Sequence, residues 1–148
     1  MLFIKMGIKE VHRWEQTVVK ILNLDGWNLT WCGEDYEYFD AKGLTPKKKE
    51  CVIEMKFRHK YYETKMLEKG KYERLLQLPQ KIHKLYLVFD PKGMYIFWLN
   101  NLNLPELEKL NCPDTTLWTK TKKEKEVYLL EESQASYINN ESGFDRCL

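Results

Sequence analysis

Val11, Trp14, Val18, Ile21 and Leu22 recur at steps of three and four residues. That spacing predicts an amphipathic helix over residues 9–24 with one apolar face. Asp25-Gly26 ends it. Trp27, Leu29 and Trp31 then alternate with polar or small neighbours, which predicts a strand over 27–32. Gly33-Glu34-Asp35 turns the chain into a second predicted strand, 36–40. Residues 41–49 read as a polar loop with Gly43, Pro46 and three consecutive lysines. Alternation returns over 50–58: Cys51, Ile53, Met55 and Phe57 share an apolar face, while Val52, Glu54, Lys56 and Arg58 share the other.

A second helix is expected over 61–78, closed by Pro79. Gly70 weakens it, since glycine inside a helix costs about 1 kcal/mol against alanine. Residues 85–89 are a continuous apolar run, as in a strand covered on both faces. Asp90-Pro-Lys-Gly93 has turn chemistry, so 94–99 should pair antiparallel to that strand. Beyond residue 100 the pattern weakens to a short helix over 104–110, one or two strands over 116–130 and a polar tail from 131 that is expected to fray. Helix, three strands, helix and two strands predict one α/β (α+β) domain over 1–148, a mixed central sheet with helices packed on it. Its core would span 9–99, with a C-terminal extension over 100–148.

Composition narrows the class without choosing a function. A chain of 148 residues can bury a core without staples. Its 43% hydrophobic and 31% charged residues are those of a soluble globular protein, and a net charge of +2 does not by itself imply nucleic-acid binding. Cysteines 32, 51, 112 and 147 form no CxxC pair, and His12, His59 and His83 have no zinc spacing. A reducing compartment fits: the cytoplasm, or the host-cell cytoplasm if the protein is viral. No apolar run approaches the roughly 20 residues of a membrane span, and the N-terminus is too soon interrupted for a signal peptide.

Alternating charges on a strand most often mark a solvated sheet face, and that is the first reading of Glu54 and Lys56. Three features weigh against it. Asp40 ends the preceding predicted strand. Glu15 falls about 40° from Val11 on a helical wheel, inside the arc of Val11, Val18, Val19 and Leu22. A carboxylate there needs a partner if buried; otherwise it lies at the edge of the stripe and reaches water. The predicted second helix is basic, with Lys65, Lys69, Lys71 and Arg74. Two acids at the ends of adjacent strands can converge on a hard cation such as Mg²⁺. Such an ion polarises a phosphoryl oxygen and lowers the pKa of bound water. A lysine on the same face can hold that water or offset phosphate charge. Lys47, Lys48 and Lys49 read equally as phosphate contacts or as a solvated loop. Lys120, Lys122, Lys123 and Lys125 are interleaved with Glu124 and Glu126 and read as a solvated hairpin. Trp14, Trp27 and Trp31 fit a core better than a base-stacking platform.

At Asp40, Glu54, Lys56 and Glu15 the chain resembles the PD-(D/E)XK nuclease superfamily. The likeness is to its small single-domain members, such as the archaeal and phage Holliday-junction resolvases. It covers residues 9–99 and rests on a short motif together with element order. It implies a restriction-endonuclease-like αβββαβ core, with Glu15 as the acid from the first helix, Asp40 as the motif aspartate, and Glu54 and Lys56 as (D/E)-x-K. The Met55 carbonyl would complete a Mg²⁺ or Mn²⁺ shell with Asp40, Glu54 and Glu15. Phe39 stands where the motif has proline. Lys71 maps to a basic residue on the following helix, though spacing does not separate it from Lys69, and Glu68 is a further candidate. Lys47, Lys48, Lys49, Arg58 and Lys69 would bind substrate, the lysine loop lying near the rim of the cleft. The activity implied is that of a metal-dependent endonuclease on DNA, acting in recombination or repair and leaving a 5′-phosphate. No sequence-reading element is visible, which favours branched DNA, and a homodimer follows by analogy with enzymes that cut two strands. The alternatives are a noncatalytic nucleic-acid- or protein-binding module on the same fold, and a metal-free interaction protein.

Overall fold

Helix α1 (Ile8–Leu24) lays Glu15, Val19 and Leu22 against the rest of the molecule. It stops where Gly26 takes φ +95° and the Trp27 N–H returns to the Leu22 carbonyl at 3.1 Å, a left-handed helix ending that glycine accommodates. The Asn23 side chain then both donates to and accepts from the Leu29 backbone, at 3.0 and 2.7 Å. It thereby holds strand β1 (Asn28–Trp31) to the end of the helix. The computed structural model describes residues 7–35, 37–113, 122–140 and 143–144.

The remaining elements are β2 (Ala41–Leu44), β3 (Glu50–Phe57), β4 (Thr64–Glu68), α2 (Lys69–Leu76), β5 (His83–Asp90), β6 (Gly93–Trp98), β7 (Leu107–Pro113), β8 (Lys122–Glu131), β9 (Tyr137–Asn140) and β10 (Gly143–Phe144). Central sheet order is β1-β2-β3-β5-β6-β9-β10, and β4-β8-β7 form a second sheet. Strand β3 runs antiparallel to β2 but parallel to β5. The result is the mixed α+β architecture expected from the sequence. The alternation over 50–58 holds. Cys51, Ile53 and Met55 pack with Val19 and Leu22 of α1, whereas Val52 faces Leu67 and Leu75 of β4 and α2. Strand β5 is covered on both faces, with Leu85, Tyr86, Leu87 and Val88 all buried.

Several boundaries differ from the sequence expectation. The second strand is 41–44 rather than 36–40; the chain bends over 38–40, and Tyr36 lies outside the described residues. Gly43 lies in the predicted polar loop, yet it sits within β2 at φ +152°, where a side chain would overlap the Asn28 carbonyl, so glycine is what lets β1 and β2 approach. The predicted helix 61–78 is a strand followed by a shorter helix. Lys65 and Leu67 both point inward from β4, so the period of two was hidden by a buried lysine. Residues 107–113 are strand β7, not helix, because β8 supplies an antiparallel partner for every one of them. The predicted strands over 116–130 correspond to β8 where described, and 116–121 lie outside the described residues. The tail does not simply fray. A short turn at Glu132–Gln134 is capped reciprocally with Glu131, and β9 then adds to the central sheet beside β6. Cys51 is a buried free thiol, as expected, and so is Cys32. Trp27 is in the core, but Trp14 is 50% exposed. It only sets its edge on Phe57, at 5.5 Å between rings. No helix among the described residues is long and apolar enough to cross a membrane.

Candidate active site

Antiparallel pairing of β2 with β3 sets Ala41 opposite Ile53, which carries the preceding residue to the edge of β3. The Asp40 N–H donates to the Ile53 carbonyl at 2.8 Å, and Asp40 Oδ2 accepts the Met55 N–H at 2.7 Å. In a strand the N–H and C=O of one residue point to the same side, and residues two apart share it. The Met55 carbonyl therefore points toward the edge at which Asp40 sits, beyond the start of β2. Phe39, at the motif's proline position, is buried in the core on the β4 and α2 side and pins the bend.

Glu54 and Lys56 lie on the opposite face of β3 from α1. Glu54 is 6% exposed, and its Oε1 accepts a hydrogen bond from Lys71 Nζ at 2.8 Å. Lys71 comes from the first turn of α2. The ambiguity of spacing is thus resolved by direction. Lys71 turns to Glu54, while Lys69 turns away to Glu73 and Glu126, at 3.8 and 3.6 Å. Glu68 pairs with Lys125 at 2.9 Å, so that lysine is not merely part of a solvated hairpin. Lys120 lies outside the described residues. Glu15 is 5% exposed and accepts the Trp31 Nε1–H at 2.9 Å. A core-facing carboxylate needed a partner, and the indole is it. No sequence signal identified Trp31, because the contact depends on where β1 ends beside α1.

The charges act on one another. Burial, then Glu54 and Glu15, push the Asp40 carboxyl up to about 8, against the Met55 N–H and Lys71. Burial also raises Glu15, opposed by Trp31 and His12. Burial, then the Lys71 and Arg58 charges, pull Lys56 down to about 8. Burial alone would lower Lys71, but the charge and hydrogen bond of Glu54, then Glu68, hold it above the ordinary lysine value. Burial likewise opposes ionisation of Glu68, yet Lys125 and Lys71 keep its pKa below normal. Neither the Lys56 ammonium nor the Arg58 guanidinium has an acceptor among the described residues.

Mutually repelling carboxylates with oxygen-only donors are the donor chemistry that a hard divalent cation suits. Asp40, Glu54, Glu15 and the Met55 carbonyl would hold it. The side chains are not already gathered for it: among the described residues no three His, Cys, Asp or Glu form a chelating group. Trp31, Lys71 and the Met55 amide each hold one of the acids apart. Lys47, Lys48 and Lys49 are exposed and correct one expectation. They occupy the far end of the β2–β3 hairpin, and the four residues from Glu50 to Glu54 span roughly 13 Å. They are not at the rim of this cleft.

An Asp40 that holds its proton to about 8 when folded favours the folded state below its unfolded pKa of about 3.9. That contribution is lost as pH rises through 8. A bound cation displaces the proton. If Asp40 is a ligand of Mg²⁺ or Mn²⁺, the melting-temperature increase over chelator is therefore expected to be small at pH 6 and to grow through pH 8.5. It should flatten in Asp40→Asn. Differential scanning fluorimetry at three pH values measures this, and a shift of constant size would contradict it.

No protein-family model and no curated protein matches the chain. Among solved structures it is similar to Hjc of Archaeoglobus fulgidus, a Holliday junction resolvase from an archaeal hyperthermophile. The TM-score is 0.52 at 15% identity, over 82% of this chain and 83% of that one. At that identity the likeness establishes a common fold, the restriction-endonuclease-like arrangement that the resemblance had implied.

Proposed function

We propose that the protein is a metal-dependent nuclease that hydrolyses DNA phosphodiester bonds and prefers branched DNA to linear duplex. The observation that supports this reading is the mutual electrostatic influence of Asp40, just before β2, Glu54 and Lys56 of β3, Glu15 of α1 and Lys71 of α2. An anion-poor lysine beside crowded carboxylates suits a phosphate and a cation together better than it suits stability alone. When bound, Mg²⁺ or Mn²⁺ supplies Lewis acidity toward the phosphoryl oxygen and an acidified water. Lys56 orients the attacking water and offsets the charge growing on the phosphate. Lys71 fixes the Glu54 carboxylate, and Arg58, one strand repeat further on, neutralises a neighbouring phosphate.

Preference for branched DNA is supported by the absence of a base-reading motif in the sequence and by the fold shared with a junction resolvase. A four-way junction offers two equivalent strands, so action as a homodimer belongs to the same proposal. The test incubates wild type with linear, forked and four-way DNA of one sequence, with Mg²⁺, with Mn²⁺ and with chelator. Four-way DNA should be cut fastest, and chelator should stop all cutting. Equal rates on linear and branched DNA would remove the structural preference. Metal-dependent binding without any cutting would move the reading to a noncatalytic module.

A further inference from the structure

Where β3 and β5 end, the central sheet and the second sheet enclose a pocket of about 440 Å³. That is within the roughly 300–1,000 Å³ of small-molecule sites. It is separate from the carboxylate centre, since neither Asp40, Glu54 nor Glu15 lines it. Among its lining residues Val88 and Leu129 are apolar, Tyr62 is aromatic, Asn111 carries an amide, and Arg58 and Lys60 are basic. Lys65 and Asp90 also reach it, but they are 2% exposed and bonded to each other at 2.7 Å. Arg58 differs, having no acceptor among the described residues. Its position is fixed by register. Lys56 pairs with Val88, and the Arg58 N–H still bonds the Phe89 carbonyl at 2.7 Å. The pocket thus reaches the level of Lys56 through its register partner Val88 and extends to Arg58, two residues or about 7 Å further along the chain.

We propose that this pocket receives one unstacked nucleobase adjoining the phosphate that is cut, an inference that rests on the nuclease reading for the path of the strand. Arg58 takes the phosphate of that nucleotide, the ring of Tyr62 stacks on its base, and Asn111 meets the base edge. An amide offers both donor and acceptor, and stacking tolerates any base, so the pocket reads no sequence. It reads pairing. A base enters only after leaving the duplex stack, which costs least where it is already unpaired. Flapped, forked or bulged DNA, or a junction whose central pairs have opened, is therefore the substrate class that fills the pocket, and fully paired duplex is the class that leaves it empty.

The test uses the full chain in chelator, where no DNA is cut. One oligonucleotide series carries 4-thiothymidine at a single unpaired position, and a matched series is fully paired. Ultraviolet crosslinking of the unpaired series should map to Tyr62. Tyr62→Ala should weaken binding of that series about tenfold and leave the paired duplex unchanged, while Tyr62→Phe binds as wild type does. Tyr62 is 56% exposed, so the substitutions do not threaten folding. Crosslinks that map elsewhere, or equal loss on both DNAs, overturn the proposal. A wild type that cuts nothing in Mg²⁺ yet crosslinks at Tyr62 ends the nuclease reading and supports the pocket. One that cuts normally but crosslinks elsewhere does the reverse.

Discussion

Lys56→Met is expected to lower the single-turnover rate of DNA cleavage at least about a hundredfold while raising the melting temperature slightly. The two effects have one cause. In the folded protein this ammonium has no acceptor among the described residues, and burial with Lys71 and Arg58 makes its charge unfavourable, holding it down to about 8. Folding would be easier without it, and under the proposed nuclease reading its place beside Glu54 is explained by what it does for substrate. Lys56→Arg should not restore the rate, because a guanidinium is bulkier and does not give up a proton. Single-turnover kinetics on junction DNA, with a thermal melt of each variant, measures both effects. A Lys56→Met protein that cuts at the wild-type rate would remove Lys56 from the chemistry. One that melts far lower would make it a structural residue.

Lys65→Met should be strongly destabilising, by about 3–5 kcal/mol, because it strands a buried charge. Lys65 Nζ lies 2.7 Å from Asp90 Oδ2 and 3.1 Å from Glu132 Oε1. It also bonds the Tyr62 carbonyl at 2.6 Å and sits over the rings of Tyr61 and Tyr95, at 4.3 and 4.2 Å. Glu132 can turn to water, since its side chain is 30% exposed, but that of Asp90 is only 2% exposed. In Lys65→Met/Asp90→Asn the stranded charge is gone. The amide oxygen still accepts the N–H groups of Lys92 and Gly93 that Asp90 Oδ1 holds at 2.7 and 3.1 Å. The double variant should therefore regain most of the loss. Urea melts decide this, and a double variant as unstable as Lys65→Met would show that the loss is one of packing, not of charge.

The same lysine shows where the sequence becomes silent. A strand that buries Lys65 and Leu67 on one side reads as a basic helix until Asp90 is known to meet the lysine, and that partner lies 25 residues away. Residues 41–44 likewise carry too much polarity and a glycine to read as a strand, and only the crowding against Asn28 shows why glycine is there. By contrast, the two faces of β3 are written in its own alternation, because each side chain is sorted by the strand's period alone. The Glu15 position was legible for the same reason, being set by helical period, whereas its partner Trp31 was not. Lys71 and Lys69 differ by half a helical turn, and only the packing of α2 against β4 and β8 decides which faces Glu54.

The most direct test of the account is the cleavage of a four-way DNA junction by wild type and by Asp40→Asn, each with Mg²⁺, with Mn²⁺ and with chelator. Asparagine keeps an oxygen that can accept the Met55 N–H, so the strand edge is preserved while the charge is lost. Wild type with either metal is expected to cut the junction and leave 5′-phosphate ends, chelator to abolish cutting, and Asp40→Asn to lose at least about a hundredfold in rate with its fold intact. Cutting that persists in chelator, or an Asp40→Asn protein that cuts as wild type does, would contradict it.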